Sequence, residues 1–324
     1  MNNNFSIKGV LCYLCVFWTL SCGAHTPVLS DQDGISDEKR EETVKKERGK
    51  LVKNEHTVNI YTDKGIELTF RHVERDYIPG KTSFYDIWQL WEAFGSKEDG
   101  SRAVRIVNPG EWETALKIGN DFVGGLNHGF ERKTSVQFVV NDKVVSETED
   151  LALQPFHSFY VIQESDLYAF NSTSDKIAHI IKKWDFKENG LIEFHQSITW
   201  LSAQSLSNSY MTMMPVARDQ DGINITSKAK RDDIDAVFDV SQEGHSNPLG
   251  PSGRHKESSS MTLWGDQYKF SVTVERKNIL PNSSLWVSNS KLYNKVYFDY
   301  SGKYEVEKGE KFELLTRFEF SRSE

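Results

Sequence analysis

The sequence predicts an all-β fold, a single-domain antiparallel β-sandwich or jelly roll, on three observations. From residue 56 onward, apolar and polar residues alternate with a period of two, which is typical of strands. Turn signals such as Asn108-Pro109-Gly110 and Ser301-Gly302 separate these runs at short intervals. No long segment shows a helical period, so the pattern disfavours alternating strand–helix units.

The first 21 residues have the composition of an export signal. Lys8 lies in a short polar start, and an apolar run follows over residues 10–20. This run is too short to span a bilayer as a helix. We therefore expect residues 1–21 to be a signal peptide of an exported protein.

The end of this signal resembles a bacterial lipoprotein box, on the residues Leu20-Ser21-Cys22-Gly23. The resemblance implies that Cys22 becomes the acylated first residue and anchors the protein to a membrane, with the outer membrane of the cell envelope as the expected location. Thr19 departs from the aliphatic residue usual there, so an ordinary cut near Ala24 stays open.

Residues 22–55 are predicted to be a charged tether, because residues 30–55 mix both charge signs and contain almost no apolar side chains. The predicted sandwich domain covers residues 56–324. All 3 cysteines lie in or directly after the signal, so the domain has no disulfide and no thiolate chemistry. Its stability must come from a large core, and we expect a monomer.

The composition limits the class of partner. A net charge of −8 without a long basic run makes the protein a poor candidate for nucleic acid. A local basic cleft could still bind an anionic polysaccharide. The chain has 8 Trp, 12 Tyr and 19 Phe, and such rings suit both sheet packing and contact with sugars.

The strands follow in order along the chain. Residues 83–94 fit a strand or a short helix, because the segment is aromatic throughout. The other strands are predicted at 56–62, 66–73, 103–107, 112–118, 135–140, 143–147, 156–163, 167–170, 260–263, 268–275, 285–287, 295–300, 303–306 and 311–320.

A central hairpin is predicted from residues 176–186 and 191–201. Pairing odd with odd residues gathers the apolar side chains on one face, and burial selects that register. It requires a three-residue loop in which Gly190 takes the left-handed conformation. The opposite, polar face carries His179, Lys183, Asp185, Glu193, His195, Ser197 and Thr199. That face is either plain solvent-facing surface or the floor of a cleft.

The glycine-rich stretch over residues 121–131 is the strongest local signal of a site. Gly124, Gly125 and Gly129 surround Asn127 and His128, and glycine permits sharp turns and close approach of a ligand. It has neither metal-ligand spacing nor the Lys-Ser/Thr of a phosphate loop. The alternative interpretation is a glycine-bulged strand with a hydrogen-bonded surface histidine.

These residues suggest chemistry on an acidic sugar polymer. β-Elimination needs groups that neutralise a uronate, a base for the C5 proton and an acid for the leaving oxygen. The candidates are His128, His195 and Tyr210 as catalytic groups and Asn127 as carboxylate ligand. Further candidates for substrate binding are Glu131, Arg132, Lys183 and Glu193, and Arg71 or Arg75 could add charge.

Two other chemistries stay open at this point. Glycoside hydrolysis needs two carboxylates, for which Glu131 and Glu193 are candidates, with Asp121 as a third. Residues 218–224 contain an Asp-x-Asp-Gly core like that of calcium loops, but a plain Asp-Gly turn explains it better. The histidines do not have the local spacing that is typical of zinc ligands, so we expect no metal and no cofactor. Residues 241–260 form a long loop whose His245, Arg254, His255 and Lys256 could meet an anion.

Taken together, the lipoprotein-like start, charged tether and aromatic-rich β body resemble exported carbohydrate-active lipoproteins of Bacteroidota. Within that group the body resembles the jelly-roll polysaccharide lyases, in architecture only and without an aligned catalytic motif. The resemblance implies a lyase cleaving a uronic-acid glycan by β-elimination. The alternatives are a non-catalytic glycan-binding lipoprotein, a glycoside hydrolase and a structural envelope lipoprotein.

Overall fold

The computed structural model of the chain describes residues 49–79, 83–97, 101–245, 247–251, 254, 258–275 and 282–323. The predicted signal peptide, most of the predicted charged tether and Cys22, for which acylation is expected, lie outside these residues. So do His255 and Lys256 of the long loop.

The described chain is almost entirely strand, as the alternating pattern predicts. The first half contains the following elements: β1 (Lys50–Lys53), β2 (Thr57–Tyr61), β3 (Ile66–Arg75), β4 (Tyr85–Ser96), β5 (Arg102–Val107), β6 (Ala115–Ile118), β7 (Asp121–Val123), α1 (Gly125–His128), β8 (Glu131–Val140), β9 (Lys143–Val145), β10 (Leu151–Pro155) and β11 (Phe159–Tyr168).

The second half continues without a helix among the described residues. Its elements are β12 (Lys176–Phe186), β13 (Leu191–Trp200), β14 (Gln204–Ala217), β15 (Asp219–Gln220), β16 (Ile223–Asn224), β17 (Lys228–Arg231), β18 (Phe238–Asp239), β19 (Ser260–Trp264), β20 (Tyr268–Glu275), β21 (Ser283–Asn289), β22 (Tyr293–Tyr300), β23 (Lys303–Val306) and β24 (Lys311–Arg322). No described helix is long and apolar enough to cross a membrane.

The strands form two packed layers, which confirms the predicted sandwich. One layer runs β8–β11–β12–β13–β24–β20–β19–β17, and every neighbouring pair in it is antiparallel. The other contains β1 to β5 in one part and β14 with β6, β22 and β23 in another. Where the layers join, β4 pairs with β8 in parallel over two residues.

The core lies between these layers and is rich in aromatic side chains. Phe70 on β3 contacts Trp184 and Phe186 on β12, with ring centroids 6.0 and 5.7 Å apart. Trp112 contacts Phe318 and Phe320 on β24 in the same way. Each fully buried side chain of this size contributes about 1.5–3 kcal/mol to folding, so the body needs no disulfide.

The central hairpin has the predicted register. Trp184 lies opposite Phe194 and Lys183 opposite His195, so odd residues pair with odd ones. The even-numbered side chains face the core, and the Trp184 and Phe194 rings stack with centroids 3.5 Å apart. Gly190 closes the loop at a φ of 82°, as the three-residue turn requires.

Some segments differ from the prediction. β1 lies inside the predicted tether, because Leu51 is apolar and buried; the sandwich therefore begins before residue 56. The predicted strands at 156–163 and 167–170 form one continuous strand, β11. The aromatic segment at 83–94 is the strand β4, which is one of its two predicted alternatives. The long strand β14, which contains Tyr210, was not predicted.

Candidate functional site

The glycine-rich stretch forms a closed turn at the end of β7. The Gly124 N–H donates to the Gly129 carbonyl at 2.6 Å, and the short helix α1 lies between these two residues. Gly125 and Gly129 have φ values of 65° and 70°, a region that side chains other than glycine rarely adopt. We call residues 124–129 the glycine turn.

Two buried carboxylates hold the glycine turn from below. Glu113 Oε2 accepts hydrogen bonds from the Leu126 and Asn127 N–H groups at 2.5 and 3.2 Å. Glu131 Oε2 accepts one from the Gly125 N–H at 3.0 Å, and its Oε1 accepts one from Lys182 Nζ at 2.6 Å. The turn is therefore fixed to the core at three consecutive N–H groups.

The two carboxylates have different electrostatic surroundings. Glu131 is fully buried in an ion pair with Lys182. Burial raises the pKa of Glu113 to about 7, although the hydrogen bonds from the Asn127 and Leu126 N–H groups act to lower this pKa. The sequence suggested Glu131 as a substrate ligand. The structure places it under the turn, where it supports Asn127 and His128 instead of facing solvent.

A row of four aromatic rings begins beside the glycine turn. Phe122 on β7 stacks on Tyr210 of β14, Tyr210 contacts Tyr297 of β22, and Tyr297 stacks on Trp286 of β21. The successive centroid distances are 5.2, 4.9 and 4.3 Å. We call these four residues the aromatic row. Neither tyrosine hydroxyl makes a hydrogen bond to a residue that the structure describes.

His128 lies at the Phe122 end of the aromatic row. Its ring centroid is 4.8 Å from that of Phe122, and the side chain is half-buried. Because Tyr210 stacks on the same Phe122 at 5.2 Å, the His128 and Tyr210 rings can be at most 10 Å apart. The structure thus brings together two of the three predicted catalytic residues.

The pKa values of these groups shift in opposite directions. Burial and the nearby Lys295 ammonium lower the pKa of His128, whereas burial and the Asp299 carboxylate raise the pKa of Tyr210. Burial also raises the pKa of Tyr297. At neutral pH the row therefore has a neutral imidazole at one end and protonated phenols beside it.

Two cations lie over the aromatic row. Lys295 Nζ is 5.0 Å from the Tyr297 centroid and pairs with Glu111 at 3.0 Å. The Arg254 guanidinium is 5.0 Å from the Trp286 centroid and pairs with Asp299 at 3.1 Å. Burial raises the pKa of the Asp299 carboxyl to about 6, although Arg254 opposes the shift. Arg254 belongs to the long loop, whose basic residues the sequence suggested as contacts for an anion. In the structure it pairs with Asp299.

His195 does not join this cluster. It is exposed on the outer face of β13, whereas the next residue, Gln196, faces inward and hydrogen-bonds the Met211 carbonyl of β14 at 3.0 Å. Lys183 and Glu193 share that outer face; Lys183 lies over Tyr160, and Glu193 pairs with Arg317 at 2.9 Å. The polar face of the hairpin is therefore separated from the glycine turn by the sheet itself.

The remaining candidates are placed as follows. Asn127 is exposed on the glycine turn, next to His128. Arg132 is exposed and lies over Phe84, 4.8 Å from its centroid. Glu131 and Glu193 do not form a carboxylate pair, because Glu131 contacts the inward-facing Lys182 and Glu193 lies on the outer face.

The described residues contain one group with enough ligands for a metal, namely His72, Glu74 and Asp86. Lys133 Nζ lies 2.9 Å from His72 Nε2 and 3.0 Å from Asp86 Oδ1, so an ammonium already neutralises this group. The donor set does not suit a metal for that reason. Asp219 to Asn224 form the hairpin β15–β16, with Asp221 and Gly222 as its turn.

Sequence reasoning missed most partners of His128 and Tyr210. Glu113 precedes β6, whereas Lys295 and Asp299 lie on β22 far along the chain, and no local motif marks any of them. Their burial beside apolar residues is what makes them distinctive, and burial follows from sheet pairing such as that of Tyr210 with Asp299. Only the glycine pattern gave a local signal.

Comparison with known proteins gives weak likenesses. No family model and no curated protein sequence matches the chain. Among solved structures, it is similar to a heparinase III, with a TM-score of 0.41 and 7% identity over 84% of this chain and 36% of the other. It is also similar to a mutant heparan sulfate lyase HepC from Pedobacter heparinus, with a TM-score of 0.43 and 7% identity over 85% of this chain and 37% of the other.

A galactose 1-epimerase from Lactobacillus acidophilus NCFM gives a TM-score of 0.37 and 9% identity over 83% of this chain and 95% of the other. The present chain spans little more than a third of the length of the heparinase III and of the HepC mutant. All these TM-scores are below 0.5, so the comparisons assign neither an activity nor a substrate.

Proposed function

We propose that the protein is a polysaccharide lyase that cleaves a uronic-acid glycan by β-elimination at the glycine turn. The observation that supports this most is that His128 and Tyr210 both contact Phe122, with their pKa values shifted in opposite directions. Such a pair provides a base and an acid at the same pH.

The reaction assigns one role to each side chain. The neutral imidazole of His128 takes the C5 proton of the uronate, and the electron pair left on C5 forms a C4–C5 double bond. The C4–O4 bond breaks, and the phenol of Tyr210 protonates the departing oxygen. No redox partner and no water are consumed, so the atoms and charges balance.

Negative charge builds up on the uronate carboxylate during proton removal, and the site has groups to offset it. Asn127 is exposed beside His128 and offers an amide, and the Lys295 ammonium acts electrostatically on His128. Preorganised donors and cations of this kind usually provide the largest stabilisation of such a transition state.

A non-catalytic glycan-binding protein is the second candidate. The aromatic row supports it, because such rings suit contact with sugars and the cations Lys295 and Arg254 lie beside them. A hydrolase ranks lower, since Glu131 and Glu193 lie on opposite faces of the sheet. We also propose export and lipid anchoring at Cys22, which Cys22→Ser and metabolic labelling with a fatty-acid analogue would test.

The test is incubation with a panel of uronic-acid polysaccharides while ultraviolet absorbance and reducing ends are measured together. Elimination produces a conjugated double bond, so a lyase gives rising absorbance with each new reducing end. New reducing ends without absorbance would indicate hydrolysis. Retarded migration in a glycan gel without any product would leave a binding protein.

A further inference from the structure

A second feature borders the glycine turn at Leu126 and Asn127. It is a groove of about 620 Å³ whose lining includes Arg71, Arg75, Tyr85, Trp91 and Asn127. We call it the arginine groove. Its Trp91 end touches the glycine turn, because a Cβ at Gly110 would lie 3.0 Å from Leu126 and 4.0 Å from Trp91.

Each arginine in the groove is held over an aromatic ring. The Arg71 guanidinium is 5.1 Å from the Trp91 centroid, and that of Arg75 is 4.8 Å from the Tyr85 centroid. Both arginines are exposed, and no ion pair connects either of them to an acid in the described part of the chain. A stacked guanidinium keeps its N–H groups free to bind an oxyanion with two parallel hydrogen bonds.

The spacing of the arginines indicates the kind of ligand. They are four residues apart on the same side of β3, which corresponds to about 13 Å along a strand. This is longer than one pyranose ring, so a single uronate cannot reach both. Glu74 also lines the groove, and its carboxylate lies within 4.8 Å of ligand atoms of His72 and Asp86.

We infer that the arginine groove binds an acidic oligosaccharide through carboxylate or sulfate groups on two separate sugar residues. Asn127 lies in this groove and on the glycine turn, so one glycan chain can cross from the groove to His128. The inference rests on the proposed function only where it has the bound glycan continue to His128. Binding in the groove itself requires no cleavage. The net charge of −8 favours a saccharide over nucleic acid.

The test is a binding titration on the His128→Ala background, in which the proposed base is missing and cleavage cannot remove the ligand. The probes are oligogalacturonate, its methyl ester, and a sulfated glycosaminoglycan oligosaccharide with its desulfated form. Arg71→Gln and Arg75→Gln are compared with Lys143→Gln, which removes one exposed charge at the β8–β9 turn. Thermal unfolding confirms that each variant is folded.

We expect each arginine variant to lose about tenfold or more in affinity for an acidic probe, with Lys143→Gln unchanged. The methyl ester, whose carboxyl groups carry no charge, should bind equally weakly to all variants. Equal affinity of Arg71→Gln, Arg75→Gln and the parent protein for every acidic probe would overturn the inference. So would an absence of binding to all probes, or arginine-dependent binding to anionic phospholipid vesicles alone.

Binding and cleavage separate this inference from the proposed function. Arginine-dependent binding by a protein that never produces a double bond would support the groove and contradict the lyase. Cleavage with unchanged affinity in both arginine variants would support the lyase and contradict the groove.

Discussion

The carboxylate of Glu113 lies directly beneath Gly125, so closely that a Cβ at this glycine would be 2.2 Å from Oε2. The same oxygen accepts the N–H groups of Leu126 and Asn127. The missing side chain of Gly125 and the buried acid thus belong to one arrangement, which fixes the position of Asn127 and His128 above it.

Gly125→Ala should disrupt this arrangement. The new methyl group would clash with the Glu113 side chain, and the alanine would have to adopt a φ of 65°, which is strained for any residue with a Cβ. We therefore expect a loss of at least about 2 kcal/mol in the free energy of unfolding. Gly119→Ala is the matched control, because Gly119 has a φ of 60° with no atom within 4 Å of a Cβ. Urea denaturation compares them, and equal losses would contradict the close contact at Gly125.

Glu113 should make folding stability depend on pH. Its pKa is raised from 4.5 to about 7 in the folded protein, so the folded state holds its proton more tightly than the unfolded state. This contribution is fully present below pH 4.5 and is lost as the pH rises to about 7, up to about 3 kcal/mol in total.

Denaturation across this pH range measures the effect in the parent protein and in Glu113→Gln. The amide carries no charge, so the variant should lose the part of the slope that Glu113 causes. Parallel curves for the two proteins would show that Glu113 titrates at its ordinary pKa.

Removing only one partner of the buried Glu131–Lys182 ion pair should lower the free energy of unfolding strongly. Glu131→Ala leaves a buried ammonium without a partner and frees the Gly125 N–H, so we expect a loss of about 3–5 kcal/mol. The double variant Glu131→Gln with Lys182→Met removes both charges and keeps an acceptor for Gly125. It should recover much of that loss in thermal unfolding; a double variant as unstable as Glu131→Ala would count against this explanation.

Much of the fold could be predicted from the sequence because strands leave a pattern of period two. In the hairpin of β12 and β13, burial of Trp184 and Phe194 allows only one register, and the structure has it. β1 was missed because a four-residue strand with two lysines has the composition of the charged tether that precedes it.

The site could be predicted only in part. The glycines marked the turn, since their spacing is local, and His128 and Tyr210 both contact Phe122. His195 was grouped with them because its type suits the chemistry, but strand alternation turns it to the outer face. Lys295 and Asp299 could not be found, because their place beside Tyr210 depends on pairing between β14 and β22.

The pH profile of cleavage should reflect the shifted groups. The base His128 must be neutral, and its pKa lies below the ordinary value near 6.5; the acid Tyr210 must be protonated, and its pKa lies above 10. We therefore expect kcat/KM to be constant between about pH 6.5 and 10 and to fall on the acidic side below this range. An optimum confined to acidic pH would point to a carboxyl group as the acid instead.

The most direct test compares two neighbouring tyrosines on whichever uronic-acid glycan gives rising ultraviolet absorbance. Tyr210→Phe removes the proposed acid, and Tyr297→Phe makes the same change one ring farther along the aromatic row. Loss of general acid catalysis should lower kcat of Tyr210→Phe by about 10²–10⁴-fold, and Tyr297→Phe should retain most of the activity. Full activity of Tyr210→Phe, or the larger loss in Tyr297→Phe, would contradict the assignment of the acid and with it the proposed site.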